Sequence, residues 1–484
     1  MSEQGTGRAI AAIDLGATSG RVIVGRLVGG ADGPELRTRQ VVRFANDPVR
    51  IRDGLHWGVQ GLYRNALLGL AAAEREEPGE IGSVGIDSWA VDYGLMRGGR
   101  LLGEPYHYRD ARGAAAVPGV HARVSAEELF RRTGLQHLDF NTVFQLAAED
   151  PAILGLADRM LLIPDLLGFW LTGREAAERS NASTTGLLSP VTREWDTDLA
   201  ARLGIPSRIL PQLLEAGERL GVLSGHAEEA VGRAIPVVTV GSHDTASAVA
   251  AIPNTGRDFA YVSCGTWGLV GLELDAPVLS DEVRRANFTN EGGVDGRTRF
   301  LRNVMGTWLF SESLRHWEPG ASDAARSSLL VELLNEAARF DGPVPVFDVN
   351  DDAFMPPGDV PARIAAWCRE HGERVPSGRV GIVRSIVESL AAAFADTVEE
   401  AARLADREVS VIQIVGGGSQ NALLCRRLAD RSGLPVVAGP VEATAMGNML
   451  VQARALGQLA PGLEELRAVV ARSAGVTRYE PRPA

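Results

Sequence analysis

Two short turns rich in glycine and hydroxyl side chains carry the residues best suited to chemistry. The first spans residues 14–21 and reads DLGATSGR; the second spans 263–268 and reads SCGTWG. Apolar segments flank both, which predicts strand, tight turn and strand. Successive backbone N–H groups in such a turn can hold anionic oxygens, and the hydroxyls of Thr18, Ser19 and Thr266 add donors. The pair predicts two related domains that hold a polyphosphate; the alternative is two ordinary hairpin loops.

An aspartate between a histidine and a threonine is a candidate for acid–base chemistry. Asp244 follows the apolar segment 236–240 and precedes a run of small residues, 246–251, that predicts a helix. A carboxylate at this position, with His243 and Thr245 beside it, can accept the proton of a substrate hydroxyl. Asp is also a common helix N-cap, so the residues alone leave both roles open.

Three further aspartates lie at the ends of predicted strands. Asp87 and Asp92 follow the apolar segment 81–86, and α/β folds place ligand groups at such ends. The alternative is a pair of turn aspartates beside a packed Trp89. Asp14 opens the first turn and is a candidate for water-mediated coordination of Mg²⁺, because this ion prefers oxygen ligands and retains water. Its alternative is a plain turn residue.

Three consecutive glycines occupy residues 416–418, between a predicted strand at 411–415 and a predicted helix at 422–431. A turn at a helix N-terminus can hold an anion or the edge of a ribose. The spacing is not the GxGxxG pattern of dinucleotide-binding proteins, because the glycines are contiguous. A tight strand-to-helix turn without a ligand is the alternative.

Composition excludes several classes of protein. The chain has 484 residues, enough for at least two domains, and a net charge of −12 without a long basic run. We therefore expect no nucleic-acid partner, and no apolar stretch is long enough to predict a membrane span. The three cysteines are widely spaced, and the first eight residues do not resemble a signal peptide, which favours the cytoplasm. The chain contains no lysine, which excludes a P-loop and Schiff-base chemistry.

The elements that must position these residues alternate between strands and helices, which predicts an α/β fold. We expect a helical middle over about 125–215, irregular or inserted structure over 320–378, and a boundary that divides the chain into domains 1–245 and 246–484. The apolar pattern predicts strands at 9–13, 21–28, 36–44, 81–86, 236–240, 411–415 and 434–437, and helices at 57–75, 246–251, 381–406, 422–431 and, as the last, 444–456.

Five stretches resemble the FGGY family of carbohydrate kinases: residues 14–19, 241–245, 263–267, 415–418 and 442–448. The resemblance covers about residues 9 to 478 and implies two ribonuclease-H-like domains of the actin-like ATPase type, with an interdomain cleft. Six stretches are similar in particular to family members that phosphorylate L-rhamnulose: residues 85–92, 108–110, 140–142, 181–185, 242–249 and 289–293.

The resemblance also implies roles for individual residues. Asp244 would be the general base, and ATP and Mg²⁺ would be required, with Asp14 near the metal. The expected sugar contacts are Asp87, Ala90, His243, Asp244, Thr245 and Asn303. The expected nucleotide contacts are Ala17, Thr18, Ser19, Gly20, Arg21, Thr266, Ser311 and Gly417. Two positions depart from the family pattern: Ala90 stands where glycine is usual, and Ser311 where a relative has glutamine.

By this resemblance we expect an ATP-dependent kinase that phosphorylates L-rhamnulose at O1. The alternatives are a kinase of another ketose, such as L-fuculose or xylulose, and a non-enzymatic nucleotide-binding protein with the same fold.

Overall fold

The computed structural model describes residues 7–52 and 54–482. The strands are β1 (Ala9–Leu15), β2 (Ser19–Gly30), β3 (Gly33–Ala45), β4 (Pro48–Ile51), β5 (Gly54–Trp57), β6 (Ile81–Ser88), β7 (Tyr93–Arg97), β8 (Arg100–Leu101), β9 (Arg159–Leu162), β10 (Ala176–Glu178), β11 (Gln212–Leu214), β12 (Arg219–Val222), β13 (Pro236–Val238), β14 (Phe259–Cys264), β15 (Trp267–Leu274), β16 (Thr289–Gly292), β17 (Thr298–Met305), β18 (Val411–Val415), β19 (Val436–Ala438) and β20 (Thr477–Tyr479).

The helices are α1 (Val59–Glu76), α2 (Arg112–His121), α3 (Ala126–Thr133), α4 (Thr142–Ala147), α5 (Pro151–Leu156), α6 (Ile163–Thr172), α7 (Arg179–Ala182), α8 (Thr197–Leu203), α9 (His226–Val231), α10 (Asp244–Ala250), α11 (Asp281–Arg285), α12 (Trp308–Trp317), α13 (Asp323–Ala338), α14 (Val360–Glu370), α15 (Gly378–Ala405), α16 (Ala422–Ser432), α17 (Ala443–Ala455) and α18 (Leu463–Ser473). This alternation confirms the predicted α/β class.

The chain forms two compact units that are not continuous in sequence. The first comprises Met1–Thr255, Glu273–Phe300 and Ala443–Ala474, and the second comprises Gly256–Leu272, Leu301–Glu442 and Gly475–Ala484. The division into kinase domains 1–245 and 246–484 stays a prediction.

The first unit is built on a six-stranded sheet of order β12-β13-β6-β1-β2-β3. Strands β13, β6 and β1 run parallel, and β2 pairs antiparallel with β1. Every residue of β1 and β6 is buried, which is typical of parallel strands covered on both faces. Helix α1 buries Leu62, Ala66 and Leu70, as the apolar pattern predicts. The carboxyl ends of the three parallel strands therefore share one edge of the sheet.

The second sheet has the order β16-β17-β15-β14-β18-β19-β20. Strands β14, β18 and β19 run parallel, whereas β14 and β15 form an antiparallel hairpin. Both glycine turns thus connect the two strands of a hairpin, as predicted. No helix among residues 7–52 and 54–482 is long and apolar enough to cross a membrane.

The prediction of irregular structure over 320–378 is wrong, because α13 and α14 lie there. Only Leu333 and Ala337 of α13 are buried, so the helix lacks the apolar stripe that makes a surface helix visible in sequence. The prediction that the last helix lies at 444–456 is also wrong, because α18 follows α17.

Candidate functional site

Three aspartates lie at the carboxyl edge of the first sheet. Asp14 on β1 is the register partner of Asp87 on β6. One residue further, Ser88 forms a parallel bridge with His243, and Asp244 follows at once. The fold therefore brings Asp14, Asp87 and Asp244 to neighbouring strand ends, as parallel pairing requires.

The three carboxylates interact electrostatically. Burial raises the pKa of Asp87 well above its ordinary value, and the Asp14 and Asp244 carboxylates raise it further. The Asn448 side chain opposes this shift by donating to Asp87 Oδ2 at 2.5 Å. The other oxygen, Oδ1, is buried and has no hydrogen-bond partner among the described residues. An edge of this kind suits a hydroxyl donor or a cation, because either would offset the uncompensated negative charge.

The first glycine turn has a defined shape. Gly16 N donates to Ser19 O at 2.9 Å, and Asn46 Nδ2 donates to Gly16 O at 2.8 Å. Arg21 donates to Asp14 Oδ2 through both Nε and Nη2, at 2.9 and 2.7 Å. The predicted phosphate contacts all lie in this turn or at the start of β2: Ala17, Thr18, Ser19, Gly20 and Arg21. Thr18 is exposed, so a ligand can reach the turn from solvent.

Asp244 is the first residue of α10, and the N-cap is His243. The alternative reading of Asp244 as the N-cap is therefore wrong. Its Oδ1 accepts from Thr245 N at 2.6 Å and from Thr245 Oγ1 at 3.1 Å, which orients the carboxylate. Burial raises the pKa of Asp244 and nearby Asp14 adds to the rise, whereas His243 opposes it. The side chain keeps 31% exposure, so a substrate hydroxyl can reach this strengthened base.

Two buried charged residues beside His243 were not identified as site residues from the sequence. Arg299 Nη2 lies 2.9 Å from His243 Nδ1, and Glu291 Oε2 lies 3.3 Å from the same nitrogen. His243 Nε2 faces Asp244 Oδ1 at 3.4 Å. The available signal was an arginine directly before two apolar residues, Phe300 and Leu301, in the segment that forms β17, because a buried arginine needs a partner.

Ala90 lies in a strained turn after β6. Val91 has φ 67°, in the left-handed region that a β-branched residue rarely adopts, and Asp92 N donates to Ala90 O at 2.9 Å. A three-residue turn with this hydrogen bond and a positive φ is a γ-turn of the rare, strained kind. Thr142 Oγ1 secures it by donating to Val91 O at 2.6 Å. The backbone around Ala90 is thus held in one conformation.

Asp92 anchors this turn and does not join the carboxylate edge. It is buried and accepts four hydrogen bonds, from the Trp57 and Trp89 indoles at 2.6 and 3.0 Å, from Tyr108 N at 3.1 Å and from Gln145 Nε2 at 2.8 Å. Burial raises its pKa to about 6, and the four donors oppose the rise. Asp87 therefore belongs to the candidate site, whereas Asp92 supports the turn beside it.

The second unit places two predicted nucleotide contacts at one edge of its sheet. Thr266 lies in the β14–β15 turn, and Gly417 begins a 3-10 helix after β18, the parallel neighbour of β14. An added Cβ at Gly417 would meet no atom within 4 Å, whereas at Gly418 it would overlap the Cys264 sulfur. Gly418 is therefore required for packing, and Gly417 leaves room for a ligand.

The two remaining predicted contacts lie on β17 and α12. Asn303 is half-buried near the end of β17, and Ser311 is half-buried in the first turns of α12. Thr307 and Trp308, which start that helix, donate from their backbone N–H groups to Gly265 O and Thr266 O, at 2.9 and 3.3 Å. The start of α12 thus packs directly on the second glycine turn. Among residues 7–52 and 54–482, no three His, Cys, Asp or Glu side chains form a group that could hold a metal ion.

Two domain models of one family match the chain. The N-terminal domain of the FGGY family of carbohydrate kinases matches residues 78–251, and the C-terminal domain matches residues 260–456. The chain belongs to this family and is a carbohydrate kinase, a class that uses ATP as phosphoryl donor. This confirms the family resemblance found in the sequence.

Individual relatives extend over nearly the whole chain. The rhamnulokinase of Bacteroides thetaiotaomicron is 38% identical over 477 residues, 97% of this chain and 95% of the relative. The rhamnulokinase of Pectobacterium carotovorum subsp. carotovorum is 40% identical over 479 residues, 98% and 93% of the two chains. A solved structure of ligand-bound xylulose kinase from Lactobacillus acidophilus covers 98% of this chain and 94% of its own, with TM-score 0.75 and 15% identity. That likeness confirms the predicted fold of two actin-like domains.

Proposed function

We propose that this carbohydrate kinase transfers the γ-phosphoryl group of ATP to O1 of L-rhamnulose, which gives L-rhamnulose 1-phosphate. The substrate assignment is supported by the 38–40% identity to rhamnulokinases over almost the full length of the chain. The observation that supports the chemistry is the carboxylate of Asp244, which keeps 31% exposure at a sheet edge with two further carboxylates. All three cysteines are free, as is usual in a reducing compartment, and we propose a cytoplasmic location.

Asp244 acts as the general base. It accepts the proton of the O1 hydroxyl as O1 attacks the γ-phosphorus, and the bond from that phosphorus to the β–γ bridging oxygen breaks to release ADP. The raised pKa of Asp244 makes it a stronger base, which helps because catalytic bases work best with a pKa near the operating pH. The Thr245 N–H and hydroxyl keep the accepting oxygen in place.

The other residues of the first unit orient the sugar and the phosphates. Asp87 Oδ1, buried and without a protein partner among the described residues, can accept a sugar hydroxyl. His243, Thr245 and Ala90 would contact the sugar beside it, and Asn303 stays a predicted sugar contact. The turn at Ala17, Thr18, Ser19, Gly20 and Arg21 would hold phosphate oxygens.

The remaining predicted nucleotide contacts lie in the second unit. The Thr266 hydroxyl would donate to a phosphate oxygen, and the open space over Gly417 would take the nucleoside. Ser311 has a shorter side chain than the glutamine of the relative, so its contact with the nucleotide would run through water.

The residue of the first unit that would hold Mg²⁺ is Asp14, and it would do so through water, because the described residues form no group that could ligate the ion directly. Asp14 and Asp87 are neighbours on adjacent strands, and burial, together with the Asp14 charge, raises the pKa of Asp87. Asp14 Oδ2 already accepts two hydrogen bonds from Arg21. Asp14 would therefore hold the ion through water, which Mg²⁺ retains readily. When bound, the ion would neutralise part of the polyphosphate charge.

A kinase of another ketose is the second candidate. Ala90 stands in a rigid turn where the family usually has glycine, and one methyl group near a sugar can change which stereoisomer fits. L-fuculose, D-xylulose and L-ribulose are the ketoses to compare.

An ADP-release assay on a ketose panel tests the proposal. We expect L-rhamnulose to have the highest kcat/KM, with no release in the absence of sugar, and the phosphate to be found on O1 by NMR. A clear preference for L-fuculose, D-xylulose or L-ribulose would contradict the proposed substrate and leave the kinase mechanism in place. No ADP release with any ketose would contradict the mechanism as well.

A further inference from the structure

We propose that Arg299 is a positioning residue that holds His243 in the neutral tautomer protonated at Nε2, so that His243 can only donate toward Asp244 and the sugar. The inference rests on the proposed function for its kinetic consequence, although the tautomer itself does not depend on the substrate. Glu291 completes the arrangement by balancing the charge of Arg299.

Arginine can only donate hydrogen bonds, and this decides which nitrogen of His243 carries the proton. A guanidinium has five N–H donors and no acceptor. Arg299 Nη2 lies 2.9 Å from His243 Nδ1, in a hydrogen bond between two buried side chains, 0% and 8% exposed. That nitrogen must present its lone pair to the guanidinium. The ring proton is therefore on Nε2.

The same contact leaves no room for a hydrogen on Nδ1. His243 Nδ1 is also 3.3 Å from Glu291 Oε2, a distance that an imidazolium could bridge. A proton on Nδ1, however, would then point at an N–H group of Arg299 at 2.9 Å. The Glu291 carboxylate instead forms an ion pair with Arg299, whose Nη2 lies 3.1 Å from Glu291 Oε2.

A backbone carbonyl holds the guanidinium of Arg299 in place. Arg299 Nε donates to Gly292 O at 2.9 Å, so the guanidinium cannot rotate away from the histidine. Burial raises the pKa of Glu291, but the Arg299 guanidinium brings it below its ordinary value. Glu291 therefore stays ionised and balances the buried arginine charge, as a buried cation requires.

The Nε2–H tautomer gives His243 and Asp244 different roles. His243 Nε2–H faces Asp244 Oδ1 at 3.4 Å and can donate to that carboxylate or to a sugar oxygen beside it. It cannot accept a proton from O1, because its acceptor nitrogen faces Arg299. Asp244 is then the only proton acceptor of the pair, and His243 acts by orienting the hydroxyl.

The tautomer can be measured directly in the full-length protein. Nitrogen-15 labelling of the histidines, followed by two-bond ¹H–¹⁵N correlation spectra, distinguishes the three protonation states of each ring, and His243→Gln assigns the signal. We expect the Nε2–H tautomer at neutral pH without substrate. A ring protonated on Nδ1 alone, or on both nitrogens, would overturn the proposal without any activity measurement.

Arg299→Met tests the positioning role, because it removes the donors and keeps an apolar side chain of similar length. We expect His243 to lose its single tautomer and kcat/KM for the ketose to fall roughly ten- to a hundredfold, as for the loss of a charged hydrogen bond. The KM for ATP should hardly change. Glu291→Gln should keep the Nε2–H tautomer, because Arg299 still faces Nδ1.

Arg467→Met is the matched control, since Arg467 is also buried in the first unit and pairs with Glu273 at 2.8 Å. It should lose comparable thermal stability and leave the His243 spectrum and the ketose KM unchanged. An unchanged tautomer or unchanged ketose kinetics in folded Arg299→Met would overturn the positioning role. If Arg299→Met does not fold, the wild-type spectrum and Glu291→Gln still decide. Failure of the proposed function would show separately, as wild-type enzyme that releases no ADP with any ketose.

Discussion

At the scale of single residues, the carboxylate edge of the first unit combines groups that differ in accessibility. Asp87 is fully buried and accepts from Asn448, whereas Asp244 is half-buried and keeps an open side. Both have a raised pKa, mainly because burial disfavours the charged form. Accessibility, and not basicity alone, therefore favours Asp244 over Asp87 as the proposed proton acceptor.

Replacement of Asp244 by asparagine tests this assignment. Asn keeps the oxygen that accepts from Thr245 but cannot take a proton, so we expect kcat to fall by about 10²–10⁴ with little change in melting temperature. Asp281→Asn is the control, because Asp281 is likewise the first residue of a helix, α11, and is exposed. It should leave kcat unchanged. Near-wild-type turnover in Asp244→Asn would remove Asp244 as the base.

The predicted nucleotide contacts can be tested at Thr266. A hydrogen bond to a charged group contributes roughly 1.5–3 kcal/mol, so Thr266→Val should weaken ATP binding or turnover by about ten- to a hundredfold. Sugar affinity should stay close to wild type. Thr192→Val, at an exposed turn of the first unit, serves as the comparison. Unchanged ATP kinetics in Thr266→Val would mean that the second turn is a hairpin loop without a phosphate.

Much of the carboxylate edge could be predicted from the sequence. Asp14, Asp87 and Asp244 each come at or just after an apolar strand, and parallel strands end at the same edge. The contact of Arg299 with His243 could not be predicted, because it joins residues 56 positions apart on elements whose pairing depends on tertiary packing. The role of Asp92 also needed the structure, since its four donors come from four separate segments.

At the scale of elements, the first turn of α6 carries a buried carboxyl group, Asp165, that lies outside the carboxylate edge. Asp165 Oδ1 accepts from Glu178 N at 3.2 Å, and Oδ2 has no hydrogen-bond partner among the described residues. Burial raises the pKa of Asp165 well above its ordinary value, and the Glu178 carboxylate adds to the rise, although the Glu178 N–H opposes it. The folded state therefore binds this proton more tightly than the unfolded state.

Asp165→Asn should accordingly become more stable relative to wild type as the pH rises. With a raised folded-state pKa, the favourable contribution of Asp165 is complete below the unfolded pKa. It is lost as the pH rises to the folded pKa, by about 1.4 kcal/mol for each pH unit that separates the two pKa values. Melting temperatures between about pH 5 and 9, a range that begins above the ordinary pKa of an aspartate, measure the difference. Asp323→Asn, at an exposed first turn, should show no such trend. A difference between Asp165→Asn and wild type that does not grow with pH would contradict the assignment.

The elements that sequence analysis found and missed differ in burial. Helix α15 was predicted within three residues at each end, because Ile386, Leu390, Phe394 and Val398 form a buried stripe. Helix α13 presents most of its surface to solvent, so its apolar residues follow no helical period. Periodicity records which face is buried and gives no signal where little is buried.

At the scale of the whole molecule, the first unit depends on residues near the end of the chain. Helix α17 supplies Asn448, which donates to Asp87, and Gln452, which donates to Ala11 O at 3.1 Å and accepts from Ser83 Oγ at 2.7 Å. Gly447 packs so closely on Ser247 of α10 that an added Cβ would overlap its carbonyl oxygen. The core around β1 and β6 is complete only when this helix is in place.

A chain ending at residue 442 should therefore fail to form a native first unit. Loss of α17 and α18 would expose the buried faces of β1 and β6 and leave Asp87 without its amide donor. We expect rapid hydrogen exchange in β1 and no ketose phosphorylation. A chain ending at residue 480, which removes only the exposed ion pair of Arg482 with Asp430 among the described contacts, is the control. Slow exchange in β1 of the shorter chain would show that the unit folds without its last helices.

The discontinuity of the first unit also sets an order of events during synthesis. Asp87 and Asn448 lie 361 residues apart, so at ~5–20 residues per second a ribosome adds the second about 20 to 70 s after the first. Throughout that interval the nascent polypeptide carries apolar strands without the helix that covers them. The second unit, whose sequence lies mostly between 301 and 442, is almost fully translated before the first can close. The yield of folded protein should therefore depend strongly on chaperone supply and translation speed, even if the folded enzyme is itself stable.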